Sequence, residues 1–283
     1  MVRDAYVARI AADSVTGVLA ALAPSAHGGL VSGLLAGLAF MSLAWIVSVA
    51  RRDVSVIDAL WGPGFVLLAW TWHAAAHATG ARAWIACLLV TVWGIRLAAH
   101  IALRNRGRGE DPRYAEMRAR SPRTFAWTSL VTVFWLQAGL LWVIALPVYA
   151  TQVARPRPLG PLDALGLLAW LVGFAFEAAG DAQLAAFTAD PDNRGRVMDR
   201  GLWRFTRHPN YFGECCLWWG IGLMAQSSAG TVWALIGPAL LTFLLLRVSG
   251  VTLLERQMLE RHPAYRDYAA RTSAFFPMPP RMP

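Results

Sequence analysis

The stretch RHPNYFGE at positions 207–214 runs directly into the apolar stretch CCLWWGIGLMA at positions 215–225. A carboxylate at the mouth of a membrane helix is costly, so we expect Glu214 to face protein, a ligand or water and not lipid. The proline of this stretch suits the first turn of a helix, whose unpaired N–H groups attract anions. Arg207 and His208 add positive charge at the same place. The stretch therefore predicts either a ligand site or a helix cap at a membrane surface.

The composition decides that the span after this stretch lies in a membrane. Hydrophobic residues make up 57% of the 283 residues, charged residues only 15%, and there are fourteen tryptophans. These values are typical of integral membrane proteins and not of soluble ones. The positive charge falls mostly in loops between apolar spans, which argues against nucleic-acid binding. Three cysteines without ligand spacing indicate neither a disulfide framework nor a metal site.

Seven apolar stretches are long enough to be considered as membrane spans. Residues 1–27 lack the pattern of a signal peptide and are expected to form a peripheral or amphipathic segment. Residues 28–283 are expected to form a single membrane domain. The expected spans are Gly28–Ala50, Val54 to about Ala75, about Ala83 to Leu103, Phe125–Ala150, a span opened by Pro161, Tyr211 to about Ser228, and Thr231 to about Leu254.

The arginines predict how these spans are oriented, because positive loops stay in the cytoplasm. All twenty-six basic residues are arginine. Nineteen fall in the loops after spans one, three and five and in the C-terminal tail, and five fall on the opposite side. We therefore expect an all-α, polytopic helix bundle of about seven transmembrane helices, with the N-terminus outside and the C-terminus in the cytoplasm.

Several charged residues on the predicted cytoplasmic half could bind a ligand. Guanidinium groups pair well with phosphate oxygens, so arginines that converge from different segments favour an anion such as a dinucleotide. The alternative for the loop arginines is that they only determine topology. Glu177 and Asp181 are spaced i and i+4, so they share one face of a helix and are expected to point inward. The candidate arginines are Arg96, Arg106, Arg108, Arg196, Arg207 and Arg247.

The acidic and amide side chains suggest a second kind of contact. Asp181, Asn210 and Glu214 could bind the hydroxyl and N–H groups of a ribose or an amide-bearing ring. Asp58 stands alone in an apolar stretch, where a carboxyl group could hold or donate a proton near neutral pH. The alternative for Asp58 is an inter-helix salt bridge with Arg96 or Arg52. Because no glycine-rich phosphate fingerprint follows a strand, a Rossmann fold is excluded.

These residues carry a resemblance to a known family. The stretches SVIDALWG at 55–62, NRGR at 105–108 and NYFGE at 210–214, with Asp181, Arg196 and Arg247, resemble the steroid 5α-reductase-like membrane family, specifically its bacterial branch. The resemblance is strongest over residues 54–277. It implies seven helices around a NADPH bound from the cytosolic side, in a multi-pass protein of the bacterial inner membrane. It also implies hydride transfer to the β-carbon of an activated C=C, with an acid holding the carbonyl oxygen.

The resemblance can be carried over residue by residue. Asp58 takes the catalytic position, although the steroid enzymes have a Gln-Glu pair there, and the tyrosine of their third span is replaced near Trp93. The substrate is therefore expected to be an enone or enoyl lipid, steroid or other. We expect membrane lipid around the protein, but no metal and no obligate protein partner. The expected NADPH contacts are Arg96, Asn105, Arg108, Asp181, Arg196, Arg207, His208, Asn210, Tyr211, Glu214, Arg247 and Glu255.

Two other classes of function stay open. Isoprenylcysteine carboxyl methyltransferase-like membrane proteins are similar in having Arg-His-Pro-x-Tyr before a span, followed by an acidic position, Tyr-x-x-Tyr and a terminal proline. Here these are residues 207–211, Glu255, Tyr265, Tyr268 and Pro277, and the cofactor would be S-adenosylmethionine. A non-enzymatic membrane scaffold or transporter would also explain buried charges, but it has no clear need for arginines from separate cytoplasmic segments.

Overall fold

The computed structural model describes residues 24–228, 230–248, 250–261 and 264–281. Over these residues the protein is helical and contains no strand, apart from an isolated bridge between Thr206 and Ser273. The expected all-α class is confirmed. Most of the N-terminal segment 1–27 lies outside the described residues. The first helix begins at Pro24, four residues before the expected start of span one.

Among the residues that the structure describes, four helices are long and apolar enough to cross a membrane. They coincide with the first, third, fourth and fifth expected spans, so the protein is a multi-pass membrane protein. The other three expected spans are also helical, but shorter or more polar, and the count of seven stays a prediction. The four helices are Gly29–Arg51, Ala81–Asn105, Phe125–Ile144 and Pro161–Ala189.

Two expected span ends are corrected. The fourth helix ends at Ile144 and not at Ala150, and a new helix begins at Leu146 with Pro147 in its first turn. A proline there cannot donate the hydrogen bond that would continue the preceding helix. The seventh helix ends at Val248 and not at Leu254. The tail that follows contains two further helices.

The helices are numbered here in chain order. Two 3₁₀ turns, Pro191–Asn193 and Gly201–Arg204, precede α8. The helices are α1 Pro24–Arg51, α2 Val56–Ala75, α3 Ala81–Asn105, α4 Pro112–Arg120, α5 Phe125–Ile144, α6 Leu146–Val153, α7 Pro161–Ala189, α8 Pro209–Ala225, α9 Val232–Val248, α10 Val251–Arg261 and α11 Tyr265–Arg271.

The chain divides into two compact units, residues 1–163 with 225–237, and residues 164–224 with 238–283. In the first unit, α2 and α3 touch through their backbones: a Cβ added to Gly94 would lie 2.6 Å from the carbonyl oxygen of Gly62. Phe65 on α2 meets Trp93 on α3 edge to face, with ring centroids 5.4 Å apart. Both rings are fully buried, so aromatic packing next to a glycine contact holds this helix pair.

In the second unit, α7 and α8 run antiparallel and pack along a line of glycines. Gly166, Gly173 and Gly180 recur every seven residues on α7. A Cβ on Gly166 would lie 2.5 Å from the carbonyl oxygen of Gly220, and one on Gly173 would lie 2.5 Å from that of Gly213. Small residues let membrane helices approach until their backbones touch. This contact fixes the start of α8 beside the end of α7.

The outer faces of the long helices are apolar. Leu35 and Leu43 on α1, Ile95 on α3 and Leu168 on α7 are each more than half exposed. Such surface would be unfavourable in water, but it matches the hydrocarbon of a bilayer. The exposed leucines and isoleucines therefore mark faces that contact lipid.

Candidate functional site

The expected site residues divide between the two units. Asp58, Arg96, Asn105 and Arg108 belong to the first unit, and the others, from Asp181 to Glu255, belong to the second. The two groups are described separately below.

Asp58 lies in the first turn of α2 and is bound by two side chains of the short helix α4. The hydroxyl group of Tyr114 donates to Asp58 Oδ1 at 3.0 Å, and Arg113 Nη2 lies 3.2 Å from Oδ2. The salt bridge considered for Asp58 therefore exists, but its partner is Arg113 and not Arg96 or Arg52. Sequence spacing could not show this, because α4 follows Asp58 by more than fifty residues and a whole span.

Backbone and side-chain contacts hold α4 over the start of α2. Asp111 caps α4 through its carboxylate, which accepts from the N–H of Arg113 at 2.9 Å, and the N–H of Asp111 donates to Ser55 Oγ at 2.6 Å. The carboxylate of Glu110 accepts from the N–H of Val54 at 2.8 Å. The contacts with Ser55 and Val54 thus place Tyr114 beside Asp58.

Tyr114 is buried, and its hydroxyl lies beside the Asp58 carboxylate. Burial raises the pKa of its hydroxyl well above the ordinary value, and the nearby charge of Asp58 raises it further. Trp61, one turn after Asp58, donates its indole N–H to Gln137 on α5. The result is a neutral hydroxyl donor beside a carboxylate. The Trp61 ring packs against that of Phe65, one turn further along α2.

The remaining expected site residues of the first unit lie in the later part of α3 and in the loop that follows it. Arg96 is half-buried within the helix, and Asn105 is its last residue, where its amide oxygen accepts from Arg104 at 3.2 Å. Arg108 is exposed in the loop that follows.

In the second unit, Asp181 and Asn210 are in contact. Asn210, in the first turn of α8, donates its side-chain amide to Asp181 Oδ1 at 3.1 Å. Asp181 and Glu177 are both buried, 6% and 2% exposed, as expected from their shared helix face. Because the glycine contact brings the two helices together here, two residues 29 positions apart in the sequence are joined by a hydrogen bond.

Arg207 and Glu255 also form a pair, but mainly with the protein itself. Arg207 Nε lies 2.7 Å from Glu255 Oε1, and its Nη1 donates to the carbonyl oxygens of Ala269 and Thr272 at 2.6 and 2.7 Å. His208 Nε2 lies 3.3 Å from the same carboxylate oxygen, and the His208 ring stacks on that of Tyr211. These contacts join the start of α8 to the C-terminal segment.

The C-terminal segment also packs on the residues just before Arg207. Tyr268 donates its hydroxyl to the carbonyl oxygen of Trp203 at 2.5 Å, and Thr206 Oγ1 donates to that of Phe275 at 2.8 Å. Burial, together with the charge of Glu255, raises the pKa of Tyr265 to about 12. Burial alone would raise the pKa of Glu255, but hydrogen bonds from His208 and Arg207 outweigh it and hold that pKa below its usual range.

The other expected contacts are more open. Arg196 is exposed in the loop before α8, and Arg247 is exposed at the next-to-last residue of α9. Glu214, one turn into α8, is half-buried. Over the described residues no group of three or more His, Cys, Asp or Glu side chains could hold a metal ion.

Arg113, Tyr114 and Gln137 were not among the residues expected from the sequence. The stretch DPRY at 111–114 carried the available signal, since Asp followed by Pro is a typical helix start and places a tyrosine in the first turn. The sequence did not show which span that turn would cover.

The fold and these clusters define a multi-pass helical membrane protein with buried polar pairs at helix ends. The chain belongs to a family described as "Protein of unknown function (DUF1295)", whose model matches residues 44–272. It is similar to an uncharacterised protein of the yeast Schizosaccharomyces pombe, 26% identical over 279 residues that cover 87% of this chain and 79% of the relative. No solved structure matches the chain.

Proposed function

We propose that the protein is a membrane-embedded, NADPH-dependent reductase of the steroid 5α-reductase-like type, acting on the activated C=C of an enone or enoyl lipid. When bound, NADPH supplies the hydride. In this proposal the chain has seven spans, with its C-terminus in the cytoplasm, and its setting is the bacterial inner membrane. The similar yeast protein indicates that related chains occur in a eukaryote.

The contact between Asp181 and Asn210 carries the proposal. It supplies an acceptor and an amide beside each other at a helix start, which suits the hydroxyl groups of a ribose or a carboxamide. Arg196 and Arg247 are exposed and make no ion pair within the described parts of the chain, so their guanidinium groups can pair with phosphate oxygens. These residues fit a nicotinamide dinucleotide.

Arg207 and Glu255 fit the cofactor less well. Their charges are engaged with each other, and Arg207 also holds two backbone carbonyls. Within the proposal they keep the start of α8 in position, and the phosphate contacts fall to Arg196 and Arg247.

Asp58 and Tyr114 are proposed to hold the carbonyl oxygen of the substrate. Asp58 receives hydrogen bonds from Arg113 and Tyr114, so it can donate only if one of these contacts is given up. The Tyr114 hydroxyl has one proton, which it donates to Asp58, so it reaches the substrate oxygen by turning away from the carboxylate that orients it. A donor at this position stabilises negative charge that develops on the oxygen.

A binding experiment tests the cofactor. Calorimetry on the detergent-solubilised protein should show NADPH binding more tightly than NADH, because the 2′-phosphate adds charge. Arg196→Ala and Arg247→Ala should each weaken binding by roughly 1.5–3 kcal/mol, the scale of a charged hydrogen bond. Asp181→Ala should weaken it less, and Arg256→Ala, an exposed arginine of α10, should leave it unchanged. Equal binding of NADPH and NADH would count against the phosphate contacts.

The same experiment tests the methyltransferase alternative. That alternative is favoured by one observation: Arg207, His208, Glu255, Tyr265 and Tyr268, which carry the methyltransferase resemblance, pack together in the second unit. Heat released by S-adenosylmethionine, with none from NADPH, would replace the reductase proposal with this one.

A turnover experiment tests the proposed donor. NADPH oxidation would be screened against steroid enones, polyprenyl compounds and enoyl lipids. With any accepted substrate, Tyr114→Phe and Asp58→Ala should each lower turnover by about 10²-fold, while Asp58→Asn keeps part of it. Glu116→Gln, an exposed change on the same short helix, is the control. NADPH binding should be unchanged in all four variants, and full turnover in Tyr114→Phe would remove this hydroxyl from the mechanism.

A further inference from the structure

A cavity of about 710 Å³ lies in the first unit, at the end of α2 opposite to Asp58. Its walls come from the loop between α2 and α3, from α6 and the residues after it, and from Ser228, Gly230, Thr231 and Trp233. About seventeen residues of helix separate Asp58 from this end, so roughly 25 Å lie between the two places. The cavity is therefore independent of the proposed reductase chemistry, and its volume is in the range of small-molecule sites.

The charge of the cavity is positive. Arg82, Arg155 and Arg157 line it, and its described lining contains no Asp or Glu. Arg155 and Arg157 are exposed and form no ion pair among the residues described. A binding partner with negative charge would find two guanidinium groups without a competing carboxylate.

Arg82 gives the cavity a fixed and buried donor. It is 5% exposed, and Asp163 holds it from one side, with Nε 2.6 Å from Oδ1 and Nη2 2.9 Å from Oδ2. The Nη1 edge has only a long contact of 3.4 Å with Ser228 Oγ. A guanidinium whose orientation is set by one bidentate partner presents its remaining N–H groups in a defined direction.

The surroundings place this cavity at a bilayer surface. The membrane-crossing helix α3 begins at its rim, and α6 ends in its wall. Trp84 is 44% exposed next to the rim, and Trp233 lines the wall, as expected of tryptophans at the membrane interface. Val153 and Leu159, beside the two arginines, are exposed apolar residues. An occupant here meets charge at its head and an apolar surface beside it.

We propose that this cavity binds the phosphate-bearing headgroup of an anionic membrane lipid. The headgroup phosphate pairs with Arg155 and Arg157 and reaches the Nη1 edge of Arg82, while the acyl chains lie along the apolar residues outside. A free phosphate would satisfy the same arginines but would leave the apolar rim unused.

Native mass spectrometry on the full chain in detergent tests this proposal. Dihexanoyl phosphatidylglycerol should form a one-to-one adduct, with dihexanoyl phosphatidylcholine and inorganic phosphate binding at least about tenfold more weakly. The double variant Arg155→Gln/Arg157→Gln should weaken phosphatidylglycerol binding about tenfold or more, and Arg155→Lys/Arg157→Lys should restore most of it. Arg120→Gln/Arg123→Gln, which removes two arginines at and after the end of α4, is the matched control and should change nothing.

Three results would overturn the proposal. Equal binding of phosphatidylcholine would show that charge does not select the lipid. Undiminished binding in the Arg155→Gln/Arg157→Gln variant would place the lipid elsewhere. Inorganic phosphate that binds as tightly as phosphatidylglycerol and displaces it would make the cavity a site for a soluble anion.

Discussion

The guanidinium of Arg207 shows how one residue of an apparent ligand motif can serve the fold. A nucleotide phosphate and the Glu255 carboxylate would compete for the same N–H groups, and the carboxylate is already 2.7 Å away. Two carbonyl oxygens of the C-terminal segment occupy Nη1. The side chains of Arg207 and Glu255 are only 10% and 20% exposed, so water has little access to the pair. If one partner is removed, the charge of the other stays buried and is only partly solvated.

We therefore expect Arg207→Ala to lower the free energy of unfolding by roughly 3 kcal/mol, because Glu255 and two carbonyls lose their partner. Arg256→Ala is the matched control, since Arg256 pairs with Glu260 at the surface with exposures of 80% and 65%. That change should cost less than about 0.5 kcal/mol. Reversible denaturation in detergent micelles, followed by circular dichroism, measures both. If Arg207→Ala lowered the free energy of unfolding less than Arg256→Ala, Arg207 would not stabilise the fold through Glu255 and the C-terminal carbonyls.

At the scale of single residues, the sequence predicted which side chains lie together only where both belong to the same helix. Glu177 and Asp181 follow from a single helix period, and both are buried as expected. The partner of Asp58 did not follow, because Arg113 reaches it through the docking of α4, which depends on contacts such as Ser55 with Asp111. Long-range docking of a short polar helix leaves little pattern in a single sequence.

The pairing of α7 with α8 is the element on which the second unit's site depends. In a bilayer, helices gain little from burying apolar side chains against each other, so close backbone packing has to supply the attraction. Gly173 and Gly213 face each other with no room for a Cβ on either residue. The same contact sets the distance between Asp181 and Asn210 at the end of the pair.

A methyl group at this contact should separate the helices. We expect Gly173→Ala to destabilise the protein by about 1–3 kcal/mol, the usual cost of overpacking, and Gly173→Leu by more. Gly139→Ala on α5 is the control, because no atom lies within 4 Å of the added Cβ, and alanine is the better helix former. Unfolding in mixed micelles measures the difference. A Gly173→Ala variant as stable as Gly139→Ala would show that the helices are not held by this contact.

Element existence was easier to predict than element ends. Hydropathy over about twenty residues predicts long spans such as α1 and α3 well, because a bilayer requires that length. The break before Pro147 and the end of α9 at Val248 depend on local backbone chemistry, which a hydropathy window averages out. The heptad of glycines on α7 was visible in the sequence, but only the packed pair shows which helix it contacts.

At the scale of the whole molecule, orientation decides what each part can bind. Nineteen of the twenty-six arginines fall on the side predicted to be cytoplasmic, with Arg108, Arg196 and Arg207 among them. Arg155 and Arg157, at the positively charged cavity, fall on the other side. Soluble NADPH is a cytosolic compound, so the reductase proposal requires Arg108, Arg196 and Arg207 to lie on the cytoplasmic side of the membrane. The lipid proposal then refers to the outer leaflet.

Cysteine labelling in intact cells tests this orientation. In a background without the three native cysteines, which lie buried or half-buried in α3 and α8, a membrane-impermeant maleimide should label Arg157→Cys in intact cells. It should label Arg120→Cys, an exposed position in the polar segment after α3, only after the cells are permeabilised. The reason is that short loops rich in arginine are retained in the cytoplasm. The reverse pattern would place Arg196 and Arg247 outside, where no NADPH is supplied, and would rule out the reductase proposal while leaving the lipid cavity intact on the inner leaflet.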